Sequence, residues 1–249
     1  MKITPGGVAA AEWTKFSSLR STWITTGISV FLLIAFGMIA SASISGDGLN
    51  SIDLALSGSV LAALSVGVLG ALLGASEYTT GMIRATLAAV PRRSPVLWAK
   101  SLVAGTAAFV TMTAGAFAAF AAGSAVLNDK VSGMSLGDDG VLRALLGAGL
   151  YLGLVAVLGV ALGMLVRSSA AAIAILAGLL LIVPGLAALL PDSISEAITP
   201  YLPSNAGSAV MALTHADGTL APWTGLAVFA GYVVVTLAAA AYRLKKTDA

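Results

Sequence analysis

Long apolar runs, separated by short polar segments, dominate the pattern of this chain. Six of them reach the roughly 20 residues that a helix needs to cross a lipid bilayer. These runs cover approximately residues 23–43, 54–75, 101–127, 141–166, 170–190 and 223–242. The pattern therefore predicts an all-α membrane protein with six transmembrane helices, forming a single transmembrane domain over residues 1–249.

The segment before the first run, residues 1–22, has charges but no apolar stretch of the kind found in a cleavable signal. Its sequence "VAAAEWTKFSSLRST" predicts an elbow helix on the inner membrane surface. At helical spacing one flank presents Trp13, Phe16 and Arg20. A second flank presents Glu12 and Lys15 together with Leu19.

Between the fifth and sixth runs lies the longest segment on the outer side, about residues 191–222. Pro200 and Pro203 divide it into two short apolar patterns. Since proline ends helices, we expect one or two short helices capping the outer mouth of the protein.

Composition supports the membrane class. The chain is 58% hydrophobic and 10% charged, with a mean hydropathy of +0.98, whereas soluble domains are about 25% charged. The net charge of +2 gives no reason to expect nucleic acid as a partner. There is no cysteine, which excludes disulfides, thiol catalysis and thiolate metal sites.

The positive charges predict the orientation. With the N-terminus inside, the inner segments hold eleven of the thirteen Lys and Arg residues, and only Lys130 and Arg143 fall outside. Cytoplasmic segments carry the excess of Lys and Arg. We therefore expect a multi-pass protein of the cytoplasmic membrane with both termini cytoplasmic.

The inner segment of residues 76–100, "SEYTTGMIRATLAAVPRRSPVLWAK", concentrates charge between two apolar runs. Ser76 can cap a short helix that begins at Glu77 and ends near Val90, before Pro91. Two interpretations stay open at this point. The segment is either a membrane-surface helix with its arginines on lipid headgroups, or a docking element for a soluble partner.

The predicted spans are nearly free of ionisable residues. No ionisable residue falls at the centre of a span, and the single histidine, His215, falls in an outer segment. The phosphate-binding pattern GxxxxGK[ST] fails before Lys100, because Ser94 and Ala99 stand where it needs glycines. The chain is therefore not expected to be an enzyme or to hold a metal. A stand-alone secondary transporter and an intramembrane enzyme or scaffold remain as alternatives.

Glycine pairs at helical spacing, Gly70 with Gly74, Gly149 with Gly153, and Gly159 with Gly163, predict close helix packing within the chain or in a dimer. Pro184 with Gly185 predicts a bend or break in the fifth span. Tyr151, Tyr232 and Pro184 lie within spans and are candidates for lining a transport pathway.

Three stretches resemble a known family. "EWTKFSSLRSTW", the "EYTTGMIRATLAAVPRRSPVLWAK" segment and "PYLPSNAGSAV" are similar to the six-span permease subunits of ABC exporters of the type-2 class. The Ala- and Gly-rich composition resembles that of actinobacterial members. In the inner segment the matching positions are Glu77, Tyr78, Gly81, Ile83, Arg84, Leu87, Arg92, Arg93 and Lys100.

The resemblance implies that the segment of residues 76–100 is a coupling helix that docks on a separate ABC ATPase subunit. Two permease chains, identical or different, would work with two ATPase subunits. ATP and Mg²⁺ would be bound by the ATPase, and this chain would need no cofactor of its own. Membrane lipid would surround the permease, and the cargo would be a hydrophobic or amphipathic drug, antibiotic, peptide or lipid.

Overall fold

The computed structural model describes residues 5–44, 49–79, 81–82, 94–127, 131–213 and 218–246. These residues form helices joined by short turns. The helices are α1 (Pro5–Ser18), α2 (Arg20–Ser43), α3 (Ser51–Ala55), α4 (Ser59–Thr79), α5 (Ser94–Ala125), α6 (Val141–Val166), α7 (Ser169–Ala187), α8 (Asp192–Ile198), α9 (Pro203–Ser208) and α10 (Pro222–Lys246).

Six of the described segments are helical, long and apolar enough to cross a membrane: α2, α3 with α4 as Ser51–Thr79, α5, α6, α7 and α10. The predicted six-span, all-α architecture is therefore confirmed, and it indicates a multi-pass membrane protein. Short helices are also present between the fifth and sixth spans, as predicted, and they are α8 and α9. The third span differs most from its predicted bounds, because α5 starts at Ser94 and includes Lys100.

Helix α6 lies at the centre of the bundle. In its most apolar stretch 72% of the residues are buried inside the protein, against 28% for α2 and for α10. It packs against α4, α5, α7 and α10, while α2 packs against α4 and α5. Large apolar side chains such as Phe31 of α2 and Val235 of α10 are exposed. The outer helices thus turn apolar faces toward lipid.

Glycines bring α4 and α6 into backbone contact. A Cβ atom on Gly70 would overlap the carbonyl oxygen of Ala156, and one on Gly159 would overlap the carbonyl oxygen of Gly67. Gly74 and Gly163 make the same kind of contact one turn further along. The predicted close packing is therefore made within one chain at these two glycine pairs.

The third glycine pair, Gly149 and Gly153, brings α6 close to α5. Gly149 lies against the side chain of Thr113 on α5, and Gly153 lies against Phe109 and the backbone of Gly105. The alternative that these glycines form a dimer contact is wrong, because α5 of the same chain covers them. Small residues let α6 approach two neighbours closely. Such close packing is needed because the hydrophobic effect does not drive helices together within lipid.

Two spans depart from regular α-helix. The second turns at Leu56–Gly58, between α3 and α4, where Gly58 lies against the backbone of α2. The fifth contains a π-helical turn at Gly178–Ile182, just before Pro184. A proline has no N–H to donate and clashes with the carbonyl four residues earlier, and a wider turn accommodates both defects. The sequence predicted a bend or break at Pro184, whereas the structure has this π-helical turn inside a continuous helix.

The bundle has two chemically different ends. One end is where α2 and α5 begin and where α4, α6 and α10 finish. This end contains Lys15, Lys100, Arg167 and Arg243. At the other end the backbone N–H of Ser51 donates to the carbonyl of Ser132 at 3.2 Å. There Arg143 donates to the carbonyl of Ala212 at 2.9 Å. The charge asymmetry behind the predicted orientation is thus an asymmetry of the folded bundle.

This asymmetry makes the orientation testable by labelling, because the chain has no cysteine of its own. The variants Asp139→Cys and Lys245→Cys place single thiols at exposed positions on opposite ends. A membrane-impermeant maleimide should label Asp139→Cys in intact cells and Lys245→Cys only after permeabilisation. Labelling of Lys245→Cys in intact cells would reverse the orientation.

Gly159→Ala tests the backbone contact between α4 and α6. The added methyl group meets the carbonyl of Gly67, so we expect a loss of about 1–3 kcal/mol in stability, as for other overpacked cores. Thermal unfolding in detergent measures the loss. Gly231→Ala on α10, where a Cβ would meet nothing, is the matched control and should leave the melting temperature unchanged or slightly raised. Equal melting temperatures for the two variants would refute the contact.

Candidate functional site

Four charged side chains from three helices meet at the Lys- and Arg-rich end. They are Glu12 and Lys15 of α1, Glu77 of α4 and Lys100 of α5, and we call them the junction cluster. Lys15 Nζ lies 2.8 Å from Glu12 Oε1 and 2.9 Å from Glu77 Oε1. Lys100 Nζ lies 2.9 Å from Glu12 Oε2 and 3.0 Å from Glu77 Oε1. Each lysine thus bridges both carboxylates.

These ion pairs are largely buried, which makes the loss of any one partner costly. The side chains of Glu12, Glu77 and Lys100 are 5%, 7% and 8% exposed, whereas that of Lys15 is 38% exposed. A charge out of water is costly unless it is paired. Two carboxylates and two ammonium groups make the cluster neutral, so every buried charge has a partner of opposite sign.

Helix α1 reaches the cluster through one face. Val8, Glu12 and Phe16, spaced four residues apart, are its buried positions, and the helix packs mainly against α5. Residues at this spacing lie above one another on a helix. Glu77 lies in the last turn of α4, and Lys100 lies in the second turn of α5. The cluster therefore joins α1 to both helices that border residues 80–93.

The pKa of Lys15 reflects the cluster. Burial lowers it, but hydrogen bonds to Glu12 and Glu77 and their negative charges raise it, and the net pKa lies above the ordinary value of 10.5. Lys15 is therefore protonated at neutral pH. Its contribution to stability is complete below the ordinary pKa and is lost only as pH rises through the raised value.

The predicted start of the coupling helix is wrong. Ser76, Glu77 and Tyr78 belong to α4, which continues to Thr79, so Ser76 is not a helix N-cap. Glu77 lies inside that last turn and pairs with two lysines. Gly81, at φ +72°, then adopts the left-handed conformation that favours glycine. The other matching positions, Ile83, Arg84, Leu87, Arg92 and Arg93, lie outside the described residues.

A helix, α1, lies where the elbow helix was predicted, but the predicted flank of Trp13, Phe16 and Arg20 is wrong. Leu19 is extended and Arg20 starts α2, so Arg20 is on a different helix. Trp13 instead stacks on Phe16 at 5.8 Å between ring centroids, and Trp23 of α2 meets Phe16 edge-on at 6.4 Å. These rings fix the corner between α1 and α2. The location of α1 on the membrane surface stays a prediction.

A second set of contacts at this end was not anticipated. The guanidinium of Arg167 lies 5.2 Å from the centre of the Tyr78 ring. Arg243 of α10 donates to the carbonyl of Leu165 near the end of α6. Because Tyr78 follows Glu77, these contacts connect α6 and α10 to the turn that holds the junction cluster. No local sequence pattern carries this information, since each contact joins distant segments.

The three candidate pathway residues, Tyr151, Pro184 and Tyr232, lie in two different places. Tyr151 and Pro184 line one cavity of about 250 Å³ between α4, α6, α7 and α9, together with Asn205 and Ser208. Tyr151 is buried, and its ring lies 5.3 Å from that of Phe229. Tyr232 is 41% exposed and donates to the carbonyl of Tyr201 at 3.1 Å. The structure thus brings two of the three together.

In the part of the chain that the structure describes, no group of three or more His, Cys, Asp or Glu side chains is arranged to hold a metal ion. His215 lies outside the described residues. Asp138 accepts from the backbone N–H and the hydroxyl of Ser135, which holds the pKa of this exposed carboxyl below its ordinary value. That arrangement is a local turn.

Neither a scan of protein-family models nor a search of curated proteins gives a match to this chain. The class that the fold establishes is therefore the broad one, a membrane protein with six helices able to span the bilayer. Any narrower assignment depends on the residues themselves.

Lys100→Met tests whether the cluster holds its end of the bundle. Removing this lysine leaves a buried carboxylate short of a partner, and breaking a buried pair in this way costs about 3–5 kcal/mol. Lys15→Met is the comparison variant; it also leaves two buried carboxylates with one lysine, but water reaches this more exposed position, so we expect a smaller loss than for Lys100→Met. Unfolding in detergent measures both losses. The Lys15→Met loss should stay constant through neutral pH and shrink only above 10.5. Equal losses for the two variants would contradict this account of the cluster.

Proposed function

We propose that this chain is the membrane-spanning permease subunit of an ATP-driven ABC exporter. It would lie in the cytoplasmic membrane with both termini cytoplasmic. Two permease chains would form the translocation pathway, and two copies of a separate ATPase would bind ATP and Mg²⁺. The cargo class is hydrophobic or amphipathic.

The observation that carries this proposal is the position of the junction cluster. It ties α1 to α4 and α5, the two helices from which residues 80–93 depart. That short segment contains three arginines, Arg84, Arg92 and Arg93. A partner bound there would act on three helices at once, because their ends are joined by buried ion pairs.

The distribution of ionisable groups also favours an external energy source. In the described spans these groups lie near helix ends, as Asp53, Glu77, Lys100, Arg143 and Arg243 do. Coupling to a proton gradient usually needs an ionisable side chain well inside the membrane. A partner that binds ATP supplies the energy without one.

In this proposal, ATP brings the two ATPase subunits together, and their movement is transmitted through residues 76–100. The permease then changes between inward-facing and outward-facing states. Converting a 1:99 equilibrium to 99:1 takes about 5.5 kcal/mol of differential binding. The cavity beside Tyr151 and Pro184 supplies candidate cargo contacts, since it combines apolar walls with the polar groups of Asn205 and Ser208.

Affinity purification with mass spectrometry tests the proposal. The tagged protein in mild detergent should co-purify with an ABC ATPase. Arg84→Ala should lower the recovered ATPase by about tenfold, as expected for an arginine at the centre of an interface, while membrane insertion stays normal. Lys245→Ala, an exposed basic position outside the segment, is the matched control.

The proposal fails if no ATPase is recovered and transport persists in vesicles without ATP. Uptake driven by an ion gradient alone would favour a secondary transporter instead.

A further inference from the structure

The cavity of about 250 Å³ beside Tyr151 and Pro184 has polar side chains in its wall although it lies among spanning helices. Tyr151 lies about 15 Å along α6 from the first residue, Val141, at a rise of about 1.5 Å per residue. The hydrocarbon core of a bilayer is about 30 Å thick. Tyr151 therefore lies near the middle of the membrane, where an unpaired polar group is costly.

Two hydroxyl groups of the cavity wall have no partner among the described residues. Ser59, the first residue of α4, is 6% exposed, and Tyr151 is 3% exposed. Neither hydroxyl bonds to a described residue, yet both oxygens keep accessible surface. Since both residues line the cavity, a bound molecule can reach these oxygens from it. A partner from that molecule would remove the cost of leaving them unpaired.

The start of α4 adds a further donor at the same place. The first four N–H groups of a helix have no acceptor within the helix. In α4 those of Ser59 and Ala62 donate to the turn at residues 56–58, which interrupts the second span. That of Val60, which lines the cavity, bonds to no described residue. The helix dipole also places partial positive charge here, so this part of the wall favours a hydrogen-bond acceptor.

The cavity has no charge to balance an ion. Among the described residues that line it, none carries a charge at neutral pH, and Leu180 and Leu181 of α7 supply an apolar wall. An ion moved from water to this depth would have no counter-charge, and the partial charge of a helix end offsets only a small part of the cost. An uncharged carbonyl group accepts hydrogen bonds without that cost.

We propose that this cavity binds an uncharged amphipathic molecule through its carbonyl oxygens. The hydroxyls of Ser59 and Tyr151 donate to those oxygens, and the apolar part of the molecule packs on Leu180 and Leu181. As a cargo site the cavity rests on the proposed transport function, and it narrows the cargo to uncharged carbonyl compounds. Binding itself needs no ATPase and can be measured on this chain alone.

Photolabelling of the purified full-length protein in detergent, with no ATPase present, tests the site. Four probes carry the same dodecyl chain and the same diazirine, and they end in an N-methylamide, a methyl group, a sulfonate or a trimethylammonium group. Peptide mapping measures the labelling of the cavity wall in α4, α6 and α7. We expect the amide probe to label this wall about tenfold more than the alkane probe, the scale of one or two hydrogen bonds. It should also exceed both charged probes.

Two variants remove the donors with little change in volume. Tyr151→Phe combined with Ser59→Ala should abolish the preference for the amide probe over the alkane probe. Each single variant should lower that preference about threefold, which provides a second measurement. Tyr242→Phe, which removes an exposed hydroxyl at the Lys- and Arg-rich end, is the matched control and should retain the full preference.

Equal labelling of the cavity wall by the amide and alkane probes in the unaltered protein would overturn the proposal. So would an absence of labelling there by any probe, or a preference that survives in the double variant. Stronger labelling by the sulfonate probe would make the cavity an anion site and the carbonyl assignment wrong. These outcomes are independent of the ATPase partner, which co-purification tests separately.

Discussion

The rest of the structure depends on the backbone contact between α4 and α6. Lipid chains are as apolar as leucine, so burial of apolar surface does not hold spanning helices together. Close contact does, and it needs positions without side chains. Gly70, Gly74 and Gly159 provide such positions, and a methyl group on any of them would overlap a backbone oxygen of the facing helix. With α4 fixed on one side of α6, Gly149 and Gly153 fix α5 on another, and α2 packs across α4 and α5.

The junction cluster fixes the position of α1 against the bundle, as the glycine contacts fix the spans against one another. Helix α1 is too short to cross the membrane, yet Glu12 and Phe16 are buried against the bundle. Buried ion pairs are weak evidence for stability, because desolvation offsets much of the attraction. Their geometric demand is strict, however. Lys100 must reach Glu12 and Glu77 at the same time, which is satisfied in one placement of α1 relative to α4 and α5.

The sequence predicted what is local and missed what is distant. Six spans could be found because run length and apolarity belong to one segment, and an irregular turn near Pro184 could be anticipated for the same reason. The charge of Lys100 interrupts the apolar run, so the sequence predicts a start for α5 that is too late. Only the pairing with Glu12 and Glu77, distant in sequence, explains why that charge lies inside a helix. The Ser76–Glu77 pair misleads in the same way, since a capping signal is also compatible with a continuing helix.

These contacts divide the bundle into a stiff part and a looser one. Ion pairs, backbone contacts and the hydrogen bond between Ser29 and Ser65, 2.7 Å long, tie together α1, α2, α4, α5 and α6. Helix α7 has only 22% of its apolar stretch buried and contains the π-helical turn. In the proposed transporter, a force applied near the junction cluster would move the tightly connected part as a unit, and the change of shape would fall on α7. The cavity between Tyr151 and Pro184 lies on that boundary, so its shape is the first to change.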